Sequence, residues 1–90
     1  MSDAELYQRC REVRDPATLR RECSVILGAI WRKVAETWDI HAQQFQVVCE
    51  EAWRSGHTEC ADEFRLKAAV ARTNKRLAIE KAMAFERGAK

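Results

Sequence analysis

Proline and glycine are scarce in this chain, with one Pro and three Gly among 90 residues. So little punctuation leaves room for few turns and favours long helices. An excess of charge of either sign is also missing. Sixteen basic residues stand against fourteen acidic ones, a net charge of +2, which is too even to point to a polyanionic partner by charge alone. Long hydrophobic runs are absent as well. The longest, Val25 to Trp31, falls far short of the roughly 20 residues that a membrane-spanning helix needs. The opening residues, Met1-Ser2-Asp3-Ala4-Glu5, are acidic and hold no apolar signal core, so a cytoplasmic protein with no membrane segment is expected.

Chemical motifs are equally thin. There is no phosphate-cradling glycine loop and no cofactor fingerprint, so no cofactor is expected. His57-x-x-Cys60 has a metal-ligand spacing, with Cys49 or His41 as further ligands, but structural zinc uses two close ligand pairs and only one exists here. Cys49 is preceded by Val47 and Val48 and followed by Glu50 and Glu51. Such an apolar and acidic setting is the opposite of the electropositive one that a nucleophilic thiolate needs. No catalytic residue, no metal site and no enzyme activity are expected. The four cysteines, Cys10, Cys23, Cys49 and Cys60, read as reduced, half-buried thiols.

What is present is apolar residue at helical spacing. With 47% hydrophobic and 33% charged residues, the composition is that of one globular domain, residues 1–90, rather than a disordered chain. Ser2 and Glu5 form a capping box for a short helix over about residues 3–13, with Leu6, Cys10 and Val13 as its apolar stripe. Asp15-Pro16 ends it and caps a second helix. Leu19, Cys23, Ile26, Ile30 and Val34 form one row there, and Leu27, Trp31, Val34 and Trp38 a second. Two rows make a face wide enough to be buried on two sides. Gly28, inside that face, is read as a place where a neighbouring helix packs closely, at about 1 kcal/mol of helix propensity.

Residues 37–42 carry no Gly or Pro, yet a helix running unbroken from 16 to 54 would be about 58 Å long. A compact monomer of this length has a radius of gyration of about 12 Å, so such a rod would need a partner chain. A break near Asp39, with Asp39 as cap, is therefore expected. Ser55-Gly56 stops the next helix. Thr58 is expected to cap a last helix over about 59–87. In that helix Phe64, Ala68, Ala71, Lys75, Ala78, Ala82 and Phe85 step by four and three, an alanine seam along which another helix can come close, wet at Lys75.

The expected fold is all-α, a small bundle of three to four helices with a short first and a long last one, paired as a homodimer. The expected function is that of a small non-enzymatic regulatory protein. It would bind another protein, such as a transcription regulator, as an inhibitor, anti-activator or adaptor that occludes a partner surface. The docking residues would be Trp31, Trp38, Phe64, Val70 and Leu77, because surplus apolar helix face and tryptophan mark interfaces. The alternative is nucleic-acid binding. Residues 34–48 resemble the helix-turn-helix pattern, with Ala35 at the small position, Trp38 and Ile40 about the turn, and Phe45 and Val48 anchoring the second helix. This resemblance implies a dimeric DNA-binding regulator, with Arg32, Lys33, Gln43, Gln44 and Gln46 as contacts. Against it, residues 39–58 hold one basic residue, Arg54, beside Asp39, Glu50, Glu51 and no glycine at the turn, whereas phosphate contact dominates DNA affinity.

Overall fold

Asp15 accepts two hydrogen bonds from Thr18, at 2.9 Å from its backbone N–H and 2.6 Å from its hydroxyl. With Pro16 at the first helical position, this is the expected N-terminal cap. The computed structural model describes residues 15–89 and Ala4. They form α1, Pro16–Arg54, and α2, Thr58–Gly88. The fold is all-α, but two helices are described in place of the expected three to four. The helix expected over residues 3–13 lies outside the described residues. No helix among the described residues is long and apolar enough to cross a membrane.

The expected break near Asp39 does not occur: α1 runs through residues 37–42 without interruption. The polar groups that would have ended it are engaged elsewhere. The Thr37 hydroxyl donates to the Lys33 carbonyl at 3.1 Å, a bond compatible with helix. The Asp39 carboxylate accepts from Gln43 at 3.0 Å and from Lys75 at 2.8 Å, so it caps nothing. The helix-turn-helix turn is consequently not formed, and residues 34–48 lie in one helix.

α1 stops where the sequence places its stop. Gly56 takes a positive φ of 80°, its N–H donates to the Trp53 carbonyl at 3.1 Å, and the His57 N–H donates to the Ala52 carbonyl at 2.9 Å. These two bonds are a Schellman motif, which needs a residue free to go left-handed at that point. The motif also corrects the expected start of α2. His57 holds the boundary position with no side-chain cap bond, and Thr58 is already helical.

The two helices pack antiparallel along a seam of small residues. Every buried residue among those described is Gly or Ala: Gly28, Ala35, Ala42 and Ala52 in α1, and Ala61, Ala68, Ala71, Ala78 and Ala82 in α2. Gly28, Ala35 and Ala42 recur every seventh residue, as do Ala61 and Ala68, and Ala71 and Ala78, which keeps each set on one side of its helix. Gly28 marks the close approach foreseen for it. A β-carbon there would sit 3.3 Å from Glu86 Cγ, 3.5 Å from the Ala82 carbonyl oxygen and 3.7 Å from Phe85 Cβ. Lys75 interrupts the seam and is half-exposed, as expected of its wet position.

The resulting shape is a plank of 63 × 29 × 13 Å with a radius of gyration of 20.1 Å. Its thickness is close to the 10–12 Å or so of a single helix with its side chains. The described residues thus form one layer, two helices wide. Among them, α1, expected to be buried on two sides, is covered by α2 alone, and Ile26, Ile30 and Val25 are exposed.

Candidate functional site: the aromatic face of the hairpin

A single layer has two flat faces, and here they differ in kind. On one, three polar contacts tie the helices together across the seam. Arg32 forms a bidentate pair with Glu86, at 2.8 and 2.9 Å. Lys75 meets Asp39 at 2.8 Å, and Arg72 donates to Gln46 at 2.9 Å. The Glu86 carboxylate holds the Arg32 guanidinium pKa above its ordinary value, first by hydrogen bonding and then by charge attraction.

The other face is aromatic and apolar. Trp31, Val34 and Trp38 from α1 line a shallow groove with Asn74, Leu77, Ala78 and Lys81 from α2. The Lys81 ammonium sits 4.3 Å from the centre of the Trp31 ring, a cation–π arrangement. From Trp38 a ladder of rings runs toward the turn. Trp38 meets His41 edge-on at 6.0 Å, His41 stacks on Phe45 at 6.1 Å, and Phe45 lies 6.0 Å from Phe64 across the seam. Lys67 covers Phe64 at 4.8 Å. Rings at these separations attract one another through their quadrupoles as well as their area.

Of the five expected docking residues, the structure places Trp31, Trp38 and Leu77 in one groove. Phe64 belongs to the ring ladder that continues from it. Val70 precedes Leu77 by seven residues on the same side of α2 and is 58% exposed. Leu27 and Val48 extend the row of Val34 at the same spacing and are also exposed. His41, weighed from the sequence only as a metal ligand and not as a docking residue, joins the two ends of the ladder. Its place was readable only as the middle of the series Val34, His41, Val48.

The expected DNA contacts do not gather in this way. Arg32 and Gln46 belong to the polar cross-seam contacts. Gln43 donates to Asp39 on its own helix, Lys33 lies 3.9 Å from Glu36, and Gln44 is exposed. Near the turn, Cys49, Trp53, Ala61 and Arg65 border a second recess, in which the Cys49 thiol donates to the Ala61 carbonyl at 3.2 Å. Cys23, Cys49 and Cys60 are free thiols, Cys23 exposed and the other two half-buried. Cys10 lies outside the described residues. Among the described residues, no three His, Cys, Asp or Glu side chains are grouped to hold a metal ion.

No family model, curated protein or solved structure matches this chain. The aromatic face therefore has to be read from its own chemistry.

Proposed function

We propose that this is a small non-enzymatic regulatory protein that acts by docking its aromatic face on another protein surface, as an inhibitor, anti-activator or adaptor. One observation carries the reading. The described helices make a single layer, no large side chain is fully buried, and Trp31, Trp38 and Leu77 are left along an open groove. Helical domains are built from two packed layers around a core. A lone layer with an aromatic face is half of such a core, and a second helical surface completes it. The mechanism is occlusion: the surface that fills the groove is no longer free for its other contacts.

The test is comparative capture from host lysate with three purified proteins: wild type, Leu77→Glu, and Glu36→Gln on the polar face. A protein captured by wild type and Glu36→Gln but lost with Leu77→Glu fits the reading. Equal capture by all three removes it. No observation favours DNA binding, since the expected contact residues point along different sides of one unbroken helix.

A further inference from the structure

The area of the hairpin points to what covers the aromatic face. A compact monomer of 10.4 kDa exposes about 5,400 Å² of accessible surface. This chain exposes 7191 Å², an excess of about 1,800 Å² over that compact size. If each of two chains hides that excess against the other, about 3,600 Å² is buried in total, within the range of obligate homodimers. One flat face of a plank 63 Å long and 29 Å wide is large enough to supply it.

We infer that the aromatic face is an interface between two copies of this chain, which stack face to face as a four-helix bundle. This rests on the reading of that face as a docking surface and names its occupant. A two-fold axis can lay one hairpin on another in two ways. If α2 lies on the partner's α2, the row Lys67, Asn74, Lys81 meets its own copy, and lysines face lysines across a desolvated contact. If α1 lies on the partner's α2, the same row meets Leu27, Val34, His41 and Val48, a row without lysine, arginine or carboxylate. Like charges brought together in an interface are costly, so the second arrangement is the one formed. Both arrangements make every neighbouring helix pair antiparallel, which suits the helix dipoles, so the lysines decide between them. The lysine stems lie along apolar surface while their ammonium groups reach the rim. A regulatory partner then competes with the second copy for one face.

The experiment is analytical ultracentrifugation of the full chain from low to high micromolar concentration, paired with thermal melts across the same range. A two-chain mass is expected, with a melting temperature that rises with concentration, as it must when folding and association are coupled. Leu77→Glu should weaken the association about thirtyfold or more, and Glu36→Gln should leave it unchanged. Should Leu77→Glu fail to fold at low concentration, Leu77→Ala is read in its place and should also weaken the association, and the concentration dependence of the wild-type melt gives an independent reading. A one-chain mass with a concentration-independent melt overturns the inference, as does a dimer indifferent to Leu77→Glu. Lys81→Glu that tightens the dimer overturns the α1-on-α2 arrangement, because only the other one sets position 81 opposite a lysine. A monomer that still loses its captured protein on Leu77→Glu would leave the docking reading standing without this occupant.

Discussion

Lys75 Nζ lies 2.8 Å from Asp39 Oδ1, and the two residues meet at the one place where charge enters an otherwise glycine and alanine seam. Both side chains are 40% exposed, so water screens the pair and its contribution is modest. A double-mutant cycle with Asp39→Asn and Lys75→Met, read by urea denaturation, should give a coupling of about 0.5 kcal/mol. A coupling several times larger would mean that the pair is far drier than its exposure implies. The pair's greater effect is on register, because sliding one helix by a turn would leave both charges against methyl groups.

Enlarging the seam should separate the helices. Ala68 is fully buried, and Ala68→Leu is expected to destabilise the protein by about 2 kcal/mol through overpacking. Gly28→Ala should be nearly neutral. It gains about 1 kcal/mol of helix propensity and places a methyl group in tight contact with Glu86. Gly28→Leu should behave like Ala68→Leu. Chemical denaturation of the three variants checks the order, and a well-tolerated Gly28→Leu would contradict the close approach.

The N-terminal cap of α1 should depend on pH in a defined direction. The Thr18 hydroxyl and then the Thr18 N–H hold the Asp15 pKa below its ordinary value. A carboxylate with a depressed folded-state pKa stabilises fully above its unfolded pKa of about 3.9 and loses that effect as pH falls through the lower folded value. Protection of the Thr18 amide from hydrogen exchange, taken against its intrinsic rate at each pH, should therefore persist at pH 5 and fall only well into the acid range. In Asp15→Ala it should be low at both pH values. Identical exchange in wild type and variant would remove the cap from the account.

Tryptophan emission should separate the two ends of the aromatic set. Trp53 is 66% exposed, whereas Trp31 and Trp38 are half-buried. Acrylamide should quench Trp53 first, and Trp53→Phe should remove most of the readily quenched emission. If Trp38→Phe removed it instead, the assignment of the groove would be wrong.

The sequence made some of this legible and hid the rest for identifiable reasons. The alanine seam of α2 was visible because Ala68, Ala71, Ala78 and Ala82 keep a strict spacing, and all four are buried. The stop at Ser55-Gly56 was visible because only a residue free to go left-handed makes that turn. The continuity of α1 was not, since Asp39 reads as a cap until its partner 36 residues away is known. The cap at Thr58 was misplaced by one residue because the preceding motif, rather than a side chain, sets where α2 begins. The wide apolar face of α1 suggested burial on two sides, but periodicity reports which residues are apolar and not how many neighbours the chain supplies. Trp31, Trp38, Leu77 and Phe64 lie along one groove and its ring ladder because heptad spacing survives into three dimensions. The ion pair of Arg32 with Glu86 joins residues 54 apart in sequence, and no local pattern announces it.

The turn at Gly56 has a kinetic consequence. Contacts across the seam begin with Cys49 and Ala61, 12 residues apart, and continue through Arg32 and Glu86, 54 apart, to the close approach of Gly28. Closing a short loop costs less chain entropy than closing a long one, and each closure shortens the next. Folding of the hairpin should thus zip outward from the turn, with local contacts speeding the early steps. The open end, where Gly28 meets Phe85, closes last and reopens first, so the hairpin is most vulnerable to a protease far from the bend that joins α1 to α2.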